Sequence, residues 1–201
     1  MENEKKLFSV RKLTVTAMFA AIAAVLMFLD FSIPALIPGF IKMDVSELPA
    51  LIVALHLGPL YGVAICLIKN VLNLLLHGST GGIGELCNFL LGAVFVGTAG
   101  LLYARRRTFA GAAVGSVVGA LAMALVSVPV NYFISYPVYA AMFGGIDKII
   151  AAYQAIRPTT NGLLECLLVF NLPFTFVKGL IDTVLLLLLY RPMKAILEKR
   201  L

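Results

Sequence analysis

The chain has 201 residues, 61% hydrophobic and 13% charged, with a mean hydropathy of +1.01. Soluble domains are about 45–50% apolar and roughly 25% charged, so this composition excludes a water-soluble globule. It also excludes a disordered chain, which needs low hydrophobicity and high net charge, and leaves an integral membrane protein.

One bilayer crossing takes about 20 apolar residues, so the length holds roughly five to seven crossings with short loops. No soluble ATPase or nucleic-acid domain fits beside them, and residues 1–201 read as one all-α membrane domain. Sixteen Lys and Arg against ten Asp and Glu give a net charge of +6. Its placement argues against a nucleic-acid partner. The positives cluster at Lys5, Lys6, Arg11 and Lys12, at Arg105, Arg106 and Arg107, and at Arg191, Lys194, Lys199 and Arg200. Each cluster abuts an apolar run, the pattern of cytoplasmic flanks.

The first span is expected over about 13–33, ended by Pro34, Pro38 and Gly39. Its apolar run exceeds the h-region of a signal peptide, about 7–15 residues. Residues 35–47 form an outer loop. The next apolar run, 48–76, is roughly 43 Å long as one helix, too long for a hydrocarbon core of about 30 Å. Gly58-Pro59 and Gly62 divide it into spans at 48–57 and 60–77. A glycine turn at 78–84 precedes a fourth span at 85–103, and the fifth is 109–135. Residues 136–162 form a second outer segment that is too polar to cross. Within it, Ile146, Ile149, Ile150, Tyr153 and Ile156 fall at helical spacing opposite Asp147, Lys148 and Gln154, an amphipathic interfacial helix. The sixth span is 163–190. With both termini in the cytoplasm, every basic cluster lies inside, and only Lys42, Lys148 and Arg157 lie in outer segments.

Polar groups inside a bilayer are costly and usually functional. Lys69, Asn70 and Asn73 interrupt the third span, Glu85 and Asn88 open the fourth, and Asn131 sits near the outer end of the fifth. In the sixth, Asn171, Thr175, Lys178 and Asp182 share one helix face. Two readings stand. One is a buried network in which Lys178 pairs with Asp182 and Lys69 with Glu85. The other is a ligand site, because four spans direct polar groups toward the outer half. Amides, which both donate and accept, suit a neutral, planar, acceptor-rich ligand better than an ion.

Catalysis has little support: His56 and His77 lie far apart in sequence, and HExxH, GxSxG, P-loop and GxGxxG motifs are missing. Cys66, Cys87 and Cys166 show no metal or disulfide spacing. Small residues mark two faces. Ala17/Ala21 and Ala20/Ala24 form overlapping Ala-x-x-x-Ala patterns, and Gly111, Gly115 and Gly119 line the fifth span. Such faces let helices approach closely in lipid, and the glycine face is assigned to packing within the bundle.

Several motifs converge in order and spacing. They are Phe40-Ile41-Lys42-Met43-Asp44-Val45-Ser46-Glu47-Leu48-Pro49, Gly58-Pro59-Leu60-Tyr61-Gly62, Lys69-Asn70, Gly84-Glu85-Leu86-Cys87-Asn88-Phe89, and Leu172-Pro173-Phe174 with Val177-Lys178-Gly179. Across nearly the whole chain they resemble the riboflavin-specific S components (RibU type) of energy-coupling factor (ECF) transporters. The resemblance implies a six-helix bundle in a prokaryotic cell membrane, multi-pass, with both termini cytoplasmic. It implies a substrate-binding subunit without enzymatic activity or cofactor, taking riboflavin as its cargo. Its implied partners are a T component and two ABC ATPase subunits, with Ala17, Ala20, Ala21 and Ala24 docking on the T component. Asn131, Thr175 and Lys178 match contacts to the isoalloxazine edge, with Thr175 in place of the family's usual Asn. Asn171 is a further candidate, Asp44 matches a contact to the ribityl hydroxyls, and Lys69, Asn70, Glu85 and Asn88 line or brace the pocket. The alternatives are an S component for another vitamin, a secondary transporter or an intramembrane enzyme.

Overall fold

Helices form along the uninterrupted apolar runs and stop where glycine or proline breaks the backbone ladder. The computed structural model describes residues 10–78 and 81–200. Lys5, Lys6, Ser79 and Thr80, and the side chains of Lys199 and Arg200, lie outside the described residues. In chain order the helices are α1 (Val10–Phe28), α2 (Glu47–His56), α3 (Pro59–His77), α4 (Ile83–Arg105), α5 (Phe109–Val130), α6 (Tyr136–Phe143), α7 (Ile146–Gln154), α8 (Leu163–Cys166) and α9 (Leu172–Arg200). π-Helical turns at Asn131–Ser135 and Leu167–Asn171 join α5 to α6 and α8 to α9.

Among the described residues, five helical stretches are long and apolar enough to cross a membrane: α1, α3, α4, Phe109–Phe143 and Leu163–Leu197. Helix α2 is apolar but short. At about 1.5 Å per residue it rises roughly 15 Å, half of a hydrocarbon core. It is nevertheless the most enclosed element, with Ala50 to Leu55 all buried.

Three boundaries differ from the sequence reading. First, α1 ends at Phe28 rather than near 33. Leu29, Phe31 and Ile33 beyond it are apolar, but the Phe31 N–H donates to the Met43 carbonyl at 2.9 Å and the Met43 N–H donates back at 2.8 Å. Lys42 and Asp30 pair beside this bridge at 2.9 Å. The 29–46 loop between α1 and α2 therefore closes on itself, and helical bonds are exchanged for bonds across the loop. Second, the fifth helix does not stop at 135 but runs on through α6 to Phe143. Pro137 is no obstacle there, because the π-turn at Asn131–Ser135 shifts the hydrogen-bond ladder by one residue just ahead of it. Third, the last helix continues beyond Tyr190 and passes Pro192, with Leu197 still buried against the core.

Close packing explains several small residues. A Cβ on Gly62 would stand 2.6 Å from Ala54 Cβ and 2.7 Å from the Ala50 carbonyl oxygen, so α2 and α3 meet almost backbone to backbone. The expected glycine face divides: Gly115 and Gly119 abut the Ala99 and Phe95 carbonyls of α4, whereas Gly111 abuts the Arg106 carbonyl. The alanine pattern of α1 divides as well. Ala20 and Ala24 are buried in the bundle, so the expectation that they face a partner is corrected. Ala17 and Ala21 remain exposed beside Met18, Ile22 and Val25.

Candidate ligand-binding site

At the end of the bundle where α1 and α3 finish and α4 begins, a cavity of about 530 Å³ opens. Small-molecule sites typically occupy about 300–1,000 Å³. Of the residues singled out from sequence, Asp44, Glu85, Asn88, Asn131, Asn171, Thr175 and Lys178 line it. Lys69 and Asn70 do not. Both are buried behind the wall, Lys69 in an ion pair and Asn70 donating to the Cys66 carbonyl at 2.8 Å. Glu47, Asn73 and His77 also line the cavity. Glu47 and His77 are additions to the residues expected from sequence. The signal for Glu47 was its position directly after Ser46, in the first turn of a helix rather than in a loop.

Both π-turns set an asparagine on the cavity wall, and both end two residues before a proline. Pro137 and Pro173 have no N–H to claim the carbonyls of Phe133 and Val169. The ladder slips accordingly: Tyr136 N–H bonds to the Asn131 carbonyl and Leu172 N–H to the Leu167 carbonyl, each five residues back. Such an extra residue rotates the side chains that follow, which is why π-turns recur at functional sites.

The two asparagines have different surroundings. Asn171 belongs to a closed ring of three hydrogen bonds. Tyr153 donates to Asn171 Oδ1 at 2.6 Å, Asn171 Nδ2 donates to Tyr136 at 2.8 Å, and the two tyrosine hydroxyls bond each other. This ring joins α6, α7 and the second π-turn. Asn131 is less occupied: its Oδ1 accepts from Ser135 at 3.1 Å, and its amide N–H groups have no partner among the described residues. At the mouth, Asn73 donates to Glu85 at 3.1 Å and the rings of Phe28 and His77 meet with centroids 4.7 Å apart.

The floor is charged. Lys178 Nζ lies 2.9 Å from Asp44 Oδ2 and 3.3 Å from Glu47 Oε2. Lys69 Nζ lies 2.7 Å from Glu47 Oε1 and donates also to Ser46 Oγ. Neither lysine therefore takes the partner expected from sequence. Glu85 is met by Asn73 rather than Lys69, and both carboxyl oxygens of Asp182 are buried without a hydrogen-bond partner among the described residues. In the 29–46 loop, burial alone would raise Asp44, but the Lys178 and Lys69 ammonium groups and the Ser46 hydrogen bond outweigh it. They hold the carboxyl below the usual carboxylate range.

An aromatic cover completes the site. Phe40 of the 29–46 loop meets Tyr136, Tyr139, Phe143 and Tyr153 with ring centroids 5.8 to 6.4 Å apart. Ile37 and Ile149 are buried in the same cluster. Helix α7 thus packs its apolar face on the loop rather than leaving it open to lipid.

The geometry is that of a pocket with amide edges, an ion-paired floor and an aromatic roof. Comparison with known proteins gives the family. Residues 11–190 match the family described as "ECF transporter, substrate-specific component". The chain is 32% identical to the riboflavin transporter FmnP of Bacillus subtilis (strain 168), covering 95% of this chain and 96% of that one. It is also 32% identical to the riboflavin transporter RibU of Staphylococcus aureus (strain TCH60), covering 99% and 95%. Among solved structures it superposes on the S component of a bacterial ECF transporter with a TM-score of 0.71 at 30% identity, covering 93% of this chain and 97% of that one. ThiT from Listeria monocytogenes shares the fold, with a TM-score of 0.50 at 19% identity over 92% of this chain and 97% of that one. The chain belongs to the substrate-specific components of ECF transporters, a family of transporter subunits and not of enzymes.

Proposed function

We propose that this chain captures riboflavin from outside the cell and delivers it inward as the S component of an ECF-type importer. The observation that carries the reading is the pocket itself: Asn131 amide donors and a Thr175 hydroxyl without partners among the described residues, and an ammonium on Lys178, face one cavity under an aromatic roof. An isoalloxazine has an acceptor-rich edge and an apolar ring body, and needs both surfaces. Asn131, Thr175 and Lys178 hold the ring edge. Asn171, locked in its tyrosine ring, contributes at most its remaining amide N–H. Asp44, Glu85 and Asn88 serve the ribityl hydroxyls, and Lys69 and Asn70 brace the wall. Riboflavin is cargo, and no cofactor takes part.

The bundle crosses the cell membrane six times, with the short α2 as one crossing, and both termini are cytoplasmic. The basic residues near both termini and at Arg105 to Arg107 support this orientation. A T component and two ABC ATPase subunits supply coupling, and Ala17 and Ala21 offer the exposed small-residue face for the T component. The deciding experiment is titration of the purified protein with riboflavin, following quenching of flavin fluorescence. Saturable one-to-one quenching is expected. No quenching, with saturable binding of a different vitamin, would reassign the substrate.

A further inference from the structure

The buried cluster under the pocket counts two ammonium groups, Lys69 and Lys178, against three carboxyls, Asp44, Glu47 and Asp182. Four of these five are joined by contacts of 2.7 to 3.3 Å. Asp182 is the exception: it is fully buried, and neither carboxyl oxygen has a hydrogen-bond partner among the described residues. An unsatisfied buried carboxyl is costly to keep and calls for an explanation. Asp182 lies one turn from Lys178 on the same helix face, within electrostatic reach of it. Lys178 instead reaches across to Asp44, which belongs to the outer loop over the cavity.

We infer that Asp182 is a positioning residue, the alternative partner that holds Lys178 when the outer loop lifts. With the loop down, Lys178 is shared by Asp44 and Glu47. Lifting the loop takes Asp44 away and leaves a buried ammonium with half its partners. A rotation about the Lys178 side chain then brings its Nζ onto Asp182, whose carboxyl hands any proton it carries to the water that the lifted loop admits, so the loop opens without stranding a charge. Separating a buried pair is otherwise strongly unfavourable. The unpartnered state of Asp182 is thus the loop-down half of an exchange between two partners. The inference goes beyond the binding reading and does not depend on which ligand is carried.

The test is amide hydrogen exchange over residues 29–46 in the ligand-free protein. In the Asp182→Asn variant, loop opening loses its charged acceptor, and exchange should slow by about tenfold. A merely structural Asp182 gives the opposite sign, because its loss loosens the bundle and speeds exchange. In a Lys178→Met background, Asp182→Asn should have no further effect. Unchanged or faster exchange in Asp182→Asn, or an equal effect without Lys178, overturns the inference. Should Asp182→Asn fail to fold, Asp182→Glu carries the test. Its longer arm reaches Lys178 more readily, so exchange should quicken, and unchanged or slower exchange overturns the inference. Failure of riboflavin binding in a separate titration would leave these outcomes unaffected.

Discussion

Asn131 and Asn171 are the same residue type on matching π-turns, yet they do different work. Asn131 has no partner for its amide donors among the described residues, whereas Asn171 spends its oxygen and one N–H on Tyr153 and Tyr136. Asn131→Ala and Lys178→Ala should each weaken riboflavin binding, because a buried hydrogen bond lost costs about 1–3 kcal/mol. That is roughly 5- to 150-fold in affinity, read by fluorescence titration. Tyr153→Phe breaks the ring around Asn171 without touching the cavity, and should lower thermal stability more than affinity. Asp44 makes a prediction about pH. Its carboxyl is held below the usual range, so its stabilisation of the docked loop is fully present above the ordinary value of about 3.9 and is lost only as pH falls through the lowered folded value. Binding measured from pH 8 to pH 5 should show no loss from this group, whereas Asp44→Asn should weaken loop docking at every pH.

Helix packing makes the next set of expectations. Gly62 is where α3 touches α2, and even a methyl group there collides with Ala54 and the Ala50 carbonyl. Gly62→Ala should destabilise the purified protein by about 1–3 kcal/mol, the usual cost of overpacking, seen as a lowered melting temperature. The alanines of α1 separate two roles that sequence spacing merges. Ala20→Trp inserts a large ring into the bundle core and should abolish folded protein. Ala21→Trp projects from an exposed face, and should leave riboflavin binding by the isolated subunit intact while blocking uptake in cells. Uptake that survives Ala21→Trp would show that coupling uses another face. Helix spacing alone could not separate these residues, because Ala17/Ala21 and Ala20/Ala24 are identical as patterns. Only the position of α1 against its neighbours distinguishes them.

Across the whole molecule, the 29–46 loop, α6 and α7 form one cover joined by Phe40, Ile37, Ile149 and the tyrosine ring. A cover that ligand must pass should be ordered by that ligand, whose contacts offset the entropy of holding it down. Hydrogen exchange in residues 29–46 and 136–156 should therefore slow when riboflavin is added, and unchanged protection in both would remove the cover from the binding cycle. Much of this molecule was legible from sequence. Composition established a membrane protein, because so apolar a chain has no soluble solution. Apolar run length and Gly-Pro breaks placed the helices, because helix formation and termination are local. The motifs around Asp44, Glu85 and Lys178 carried the family and most of the cavity wall. What sequence could not decide was which charges meet. Local spacing offered Asp182, one turn away, as a partner for Lys178. The folded chain pairs it with Asp44, 134 residues earlier. The continuation of the fifth helix past Pro137 was equally hidden, because the π-turn that absorbs it is a slip of the hydrogen-bond ladder rather than a residue pattern. Periodicity records which side of a helix is apolar. Only the packing of helices brings distant charges within reach, and in a low-dielectric interior that proximity decides the partners.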